Sequence, residues 1–208
     1  MTQFISETKL SDAISKLGKM VLCLSLTPIL SCAHDVPCKG DCYACKHAYN
    51  AYSNTREAWD HNFRMALNRE FDTMTDNIQH VLDKGKHPYF RWFVGGDIPN
   101  IEFFDMMCEI ALNNPDIKFL CFTKKYSIIE DYLEEDVIPS NLTVVLSCWK
   151  SYRPQPGVLD AFPRAYFNDD TPECDLPYVS FQCSGDCVEC GHQCWDMQHH
   201  DNVIFNKH

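Results

Sequence analysis

Apolar residues along the chain fall into two kinds of pattern. Met20 to Leu26, Tyr89 to Val94, Ile117 to Phe122 and Leu142 to Leu146 are near-continuous runs of strand length. Between the first two, Trp59, Phe63, Ala66, Leu67, Phe71, Met74, Ile78, Val81 and Leu82 recur at helical spacing. That spacing predicts one long helix from about Thr55 to Lys84, with Asn54 as its cap and Pro88 punctuating its end. Asn100 is positioned to cap a helix reaching about Leu112, and Ser127 to Glu135 reads as another. Strands alternating with helices predict parallel βαβ units. After Trp149 the pattern loosens around Pro154, Pro156, Pro163, Pro172 and Pro177, with two short strands near Arg164 to Phe167 and Tyr178 to Gln182. The expected fold is α/β: a partial (β/α) barrel of about six strands, closed by a cysteine-rich C-terminal tail. One domain over 1–208 is expected, with a barrel core over 20–168 and a metal-binding tail over 174–208.

Composition fits that picture and narrows the partners. A chain of 208 residues with 45% hydrophobic content can bury one sizeable core. A net charge of −11 with no compensating Lys/Arg run argues against nonspecific binding to nucleic acid or to anionic membrane. Binding of nucleic acid through one local patch stays open. No run approaches the roughly 20 apolar residues of a membrane helix. Lys16 and Lys19 ahead of Met20 to Leu30, with Ile29-Leu30-Ser31-Cys32, imitate a lipoprotein leader. The polar Ser25 and Thr27, Pro28 within the run and the acidic Glu7 and Asp12 before it disfavour that reading, so a buried first strand and a cytoplasmic chain are expected.

The thirteen cysteines carry the chemistry. Eight fall into two tight groups, Cys32, Cys38, Cys42, Cys45 and Cys183, Cys187, Cys190, Cys194. Clustered thiolates converge on metal, whereas disulfide frameworks staple distant segments. Cys38-Lys-Gly-Asp-Cys42-Tyr-Ala-Cys45 is a CxxxCxxC motif between a strand and a helix, and it resembles the radical SAM (S-adenosylmethionine) superfamily. In that superfamily three such cysteines hold a 4Fe-4S cluster whose fourth iron binds S-adenosylmethionine. The second group echoes the first, CSGDCVEC against CKGDCYAC, and its four thiols suffice for a closed centre. A second 4Fe-4S cluster and a structural zinc are both open there, with His192 as a substitute ligand, as a support behind the ligands or as a solvent-exposed residue. Cys23, Cys108, Cys121, Cys148 and Cys174 read as small buried hydrophobes, Cys148 being nearest the expected site.

Ligands of parallel sheets gather at the carboxyl ends of the strands. There Gly95-Gly96-Asp97 is similar to the Gly-Gly-Glu motif that holds the S-adenosylmethionine amine in the radical SAM superfamily, with the shorter Asp in place of Glu. Lys124 is a candidate partner for the methionyl carboxylate and Ser147 for a ribose hydroxyl. Arg91, inside the second strand, is a further candidate anchor. Each also has a plain reading as a turn, surface or strand-end residue.

The order Cys32-Ala-His, Cys38, Cys42-Tyr-Ala, Arg56-Glu-Ala-Trp59 with Asn62, Gly-Gly-Asp97, Phe122-Thr-Lys124, Leu146-Ser147 and a closing Cys-x-x-Cys to Cys194-Trp195 near His208 resembles the phage-borne gene product 88 family. The resemblance runs from about residue 20 to the end and implies a reduced radical SAM protein of phage or bacterial origin. It selects Cys32, Cys38 and Cys42 as the cluster ligands, whereas the general radical SAM spacing selects Cys38, Cys42 and Cys45. The expected function is a radical SAM enzyme that cleaves S-adenosylmethionine and abstracts hydrogen from a peptide, protein or nucleic-acid substrate, fed by an electron donor. The rivals are an iron-sulfur electron- or sulfur-transfer protein that does not use S-adenosylmethionine, and a zinc-binding interaction module.

Overall fold

The computed structural model describes residues 7–12, 16–168, 170 and 179–206. Cys174 and the first residue of the strand expected at Tyr178 lie outside them. The described strands are β1 (Leu10–Ser11), β2 (Val21–Leu24), β3 (Tyr89–Trp92), β4 (Lys118–Thr123), β5 (Leu142–Ser147), β6 (Arg164–Phe167), β7 (Val179–Gln182) and β8 (Asn202–Phe205). They form one eight-stranded sheet in the order β1-β2-β3-β4-β5-β6-β8-β7. Every neighbouring pair is parallel except β1 with β2. The four apolar runs are β2 to β5, shifted by no more than two residues at either end.

The helices are α1 (Ser53–Leu67), α2 (Phe71–Leu82), α3 (Ile101–Asn113), α4 (Tyr126–Glu135) and the short α5 (Pro156–Ala161). The single helix expected over residues 55–84 is thus two. Arg69 enters the left-handed region at φ 57°, and the amides of Arg69 and Glu70 bond back to the carbonyls of Ala66 and Met65. This is a Schellman stop built on arginine where glycine is the usual signal, so hydrophobic spacing ran straight through it. The start also differs: Tyr52, with no side-chain cap bond, stands where Asn54 was expected to cap. Asn100 does cap α3, its side chain accepting from Phe103 N at 2.9 Å.

Alternation along the strands divides the core. Leu22, Leu24, Phe90, Trp92, Phe119, Cys121, Val144 and Leu146 face α1 to α4 and meet Met65, Met74, Ile78, Phe103, Met107 and Ile129. Val21, Cys23, Leu120, Phe122, Val145, Ala165 and Val203 point to the other face and meet Leu17, Cys194, Trp195 and Met197. Continuous apolar strands are what two covered faces require.

The tail is therefore part of the sheet as well as a cysteine carrier. β8 pairs with β6 and β7 with β8. From β7 at the sheet's edge, residues 183–195 run across the inner face toward β2 and β3. Cys187 N donates to Lys16 O at 2.8 Å, His192 stacks on Tyr89 at 4.4 Å, and Trp195 Nε1 donates to Phe90 O at 3.1 Å. Thr143 Oγ1 donates to Trp195 O at 2.8 Å, and Lys118 pairs with Asp196 at 2.6 Å. Phe90, Lys118 and Thr143 all lie early in their strands, so Trp195 fills the amino end of the inner face and leaves the carboxyl end open. Among the described residues, no helix is long and apolar enough to cross a membrane.

Candidate metal and cofactor site

At that open end lies a cavity of about 660 Å³. It is lined by Cys32, Cys38 and Cys42 from the segment after β2, and by Cys183, Cys187, Cys190 and Cys194 from the tail. Gly95, Gly96, Lys124, Ser147, Cys148 and Arg91 line it too. Two cysteine groups some 140 residues apart in sequence thus share one chamber. The twelve described cysteines are all free thiols.

The first group is set by a series of tight turns. Ser31 N and Oγ both donate to Thr27 O, and Ile29 takes a left-handed φ of 71°. Cys38 sits in the 3₁₀ segment Pro37–Asp41, Cys42 just beyond it, and Cys45 opens the π-helical turn Cys45–Tyr49. Cys45 is the one member of the first group that does not line the cavity. Burial pushes its thiol up to about 11, helped by a hydrogen bond with Cys42 and by the charges of Cys42 and Cys32. Burial raises Cys32 and Cys38 as well, with Lys124 pulling both the other way.

In the second group, Gly185 N donates to Cys183 Sγ at 3.4 Å, and Cys194 lies in the 3₁₀ turn Gln193–Asp196. Burial pushes Cys187 up to about 11 and Cys194 up to about 12, while the Arg91 guanidinium acts in the opposite sense on both. His192 is not solvent-exposed but supports the cysteine turn from behind. It is buried between Tyr89 and Trp195 with Nε2 3.2 Å from Leu17 O, which fixes the turn that carries Cys194.

The Gly-Gly-acid turn differs from the expectation of a ligand-facing carboxylate. Asp97 is fully buried and does not line the cavity. Its Oδ1 accepts from Thr123 Oγ1 at 2.6 Å and from Ile98 N at 2.9 Å, and its Oδ2 accepts from Lys124 N at 2.9 Å. Asp97 N donates to Ser31 Oγ at 3.1 Å, beside Cys32. Ser25 Oγ accepts from Val94 N at 3.1 Å and Gly95 N at 3.4 Å. The turn therefore ties the end of β3 to the cysteine segment and to the end of β4. Both glycines are needed for close approach: a Cβ at Gly95 would overlap the Trp59 ring, and at Gly96, φ 89°, it would meet Leu26 O at 2.9 Å.

Lys124 is half-buried at the end of β4. Desolvation works against its charge, but the Asp97 carboxylate and the thiols of Cys38 and Cys32 outweigh it and hold the ammonium above its ordinary range. Ser147 lines the cavity while its carbonyl accepts from the Tyr126 hydroxyl. Cys148 is buried, as a small hydrophobe should be, and also faces the cavity. Ser25, Ser31 and Thr123 are braces that sequence reading did not single out. Their only signal was polarity within or beside an apolar run.

Among the described residues, no three of His, Cys, Asp and Glu converge tightly enough to hold one metal ion. A single tetrahedral ion draws its thiolates close together, whereas a cube places each on a separate iron and spaces them further apart. The donor set, three thiols opening on one chamber, is of the chemical kind that both arrangements use.

A family model described as gene product 88 matches residues 2–173. The closing cysteine group, Trp195 and His208 lie beyond the matched residues, so the resemblance is narrower than the sequence reading expected. No curated protein and no solved structure matches the chain.

Proposed function

Because the chain belongs to the gene product 88 family, whose description specifies no activity, we propose from its cavity that it is a radical SAM-type iron-sulfur enzyme. It cleaves S-adenosylmethionine and abstracts hydrogen from a substrate of macromolecular size, a peptide, protein or nucleic acid, with a separate electron donor. The observation that carries this reading is the placement of Cys32, Cys38, Cys42, Gly95, Gly96, Lys124 and Ser147 around one chamber, at the carboxyl ends of parallel strands. In this reading the sheet is the partial barrel of that superfamily, and free thiols suit a reducing, cytoplasmic setting.

Cys38 and Cys42, completed by Cys32, would hold a 4Fe-4S cluster. When bound and reduced, that group supplies the electron for reductive cleavage of the sulfonium. The chain's own residues bind and orient. Lys124 presents a cation to the cofactor carboxylate, the Gly95-Gly96 backbone allows close approach, and the Ser147 hydroxyl offers a bond to the ribose. Phe93, Leu120, Phe122 and Trp149 give the chamber apolar walls. Cys183, Cys187, Cys190 and Cys194 hold a second centre, a 4Fe-4S cluster in the leading reading and zinc in the alternative.

One observation favours a second reading, an iron-sulfur electron- or sulfur-transfer protein that does not use S-adenosylmethionine. The Asp97 carboxylate is committed to Thr123, Ile98 and Lys124, which leaves the amine of a bound cofactor without its usual acidic partner. Anaerobic purification with metal analysis, then incubation with dithionite and S-adenosylmethionine, separates the readings. Release of 5′-deoxyadenosine or methionine supports the enzyme. Iron-loaded protein that releases neither supports the second reading, and colourless zinc protein supports a binding module.

A further inference from the structure

Arg91 lies on the inner face of β3, in register with Cys23 of β2 and Leu120 of β4. Its guanidinium sits 4.8 Å from the centre of the Phe122 ring, and its Nε has no hydrogen-bond partner among the described residues. The ion pairs formed by the described residues are Lys46–Asp41, Arg69–Glu102, Lys118–Asp196 and Arg164–Asp160, none of which involves Arg91. In a chain with 29 acidic and 18 basic residues, a cavity-lining arginine without a carboxylate among the described residues is an unusual placement. Its charge is permanent, and a partly desolvated charge needs an opposite one nearby.

The chamber that Arg91 lines also carries sulfur. Cys183, Cys187, Cys190 and Cys194 line the same chamber, and Trp195, next to Cys194, is hydrogen-bonded to Phe90, next to Arg91. Four thiolates on one divalent ion leave a dianion, and four thiolates on an oxidised 4Fe-4S core leave the same charge. Cys194 is buried and Cys183 and Cys187 are half-buried against the cluster that holds Phe122 and Trp195, so such a centre, partly desolvated there, is costly without a cation beside it.

We infer that Arg91 is the charge partner of a metal-thiolate centre on Cys183, Cys187, Cys190 and Cys194, a positioning residue whose guanidinium offsets that centre's negative charge. The inference rests on the reading that the tail cysteines hold metal, and it holds whether the metal is iron or zinc.

The test uses the full chain, loaded anaerobically with iron and sulfide or with zinc, and counts the metal retained against rising EDTA. Cys187→Ser identifies the share of metal that belongs to the tail centre. Arg91→Gln and Arg91→Met should release that share at EDTA concentrations about tenfold lower than wild type, while Arg91→Lys, which keeps the charge, stays near wild type. Arg91→Gln or Arg91→Met, whichever folds, retaining the metal as wild type does overturns the inference alone. Folded Arg91→Lys that loses the metal as readily as the neutral variants also overturns it, because charge would then not be the cause. If neither neutral variant folds, Arg91→Lys alone decides: retention near wild type supports the inference. Wild-type protein with no metal dependent on Cys187 removes both the inference and the two-centre reading.

Discussion

Thr123 donates its hydroxyl to Asp97 Oδ1 at 2.6 Å, across the ends of two neighbouring strands. With Ile98 N and Lys124 N on the same carboxylate, Asp97 is a structural brace. Asp97→Ala would leave two buried donors and the half-buried Lys124 amide without their acceptor, each buried one worth about 1 to 3 kcal/mol. We expect Asp97→Ala to lose about 3 kcal/mol or more of stability in denaturant titrations, and Thr123→Val about 1 to 2 kcal/mol. A carboxylate acting only on a ligand would leave the apo protein's stability unchanged.

Gly96 makes a related point about the same turn. At φ 89°, with Ser31 Oγ at 2.7 Å and Leu26 O at 2.9 Å from any Cβ, an alanine is strained in both backbone and space. Gly96→Ala should cost about 1 to 3 kcal/mol. Gly95→Ala should be partly rescued by Trp59→Leu, since the Trp59 ring is what the new methyl would strike. A double-mutant cycle showing no coupling between residues 59 and 95 would contradict that geometry.

The two ligand sets, one from the family resemblance and one from the general spacing, differ in how they meet the cavity. Cys32, Cys38 and Cys42 face the chamber and Cys45 does not. Replacing any of the first three by Ala should therefore remove one centre's metal, and Cys45→Ala should retain it. Metal that depends on Cys45 and not on Cys32 would reverse the assignment.

Much of the frame was legible because β2 to β5 are covered on both faces and so read as unbroken apolar runs. The break at Arg69 was not, because its left-handed residue is not glycine. β8 was missed because Val203, Ile204 and Phe205 form so short a run that only pairing with β6 identifies it as a strand. The motif residues were legible as chemistry but not as geometry. Spacing flagged Asp97, yet only the fold shows that its oxygens are occupied by Thr123, Ile98 and Lys124. His192 was likewise flagged by its cysteine neighbours, and the stack with Tyr89 is a contact 103 residues distant in sequence.

Cys108, in α3 and remote from the chamber, gives a pH dependence free of metal chemistry. Burial pushes its thiol from 9.0 up to about 12. A raised folded value means the contribution is full below pH 9 and is lost as pH rises toward 12, because the unfolded chain ionises first. Cys108→Ala should therefore lose less stability than wild type between pH 9 and pH 11, by chemical denaturation at each pH. Parallel losses in the two proteins would show that the buried thiol does not contribute.

The most direct test of the central reading is the electron paramagnetic resonance spectrum of anaerobically loaded, dithionite-reduced protein, recorded with and without saturating S-adenosylmethionine. The same measurement on Cys38→Ala separates the first centre's signal from any second one. A reduced-cluster signal that requires Cys38 and shifts on addition of the cofactor is the predicted result. An intact cluster signal that the cofactor leaves unchanged would contradict the radical SAM reading and leave the electron- or sulfur-transfer protein in its place.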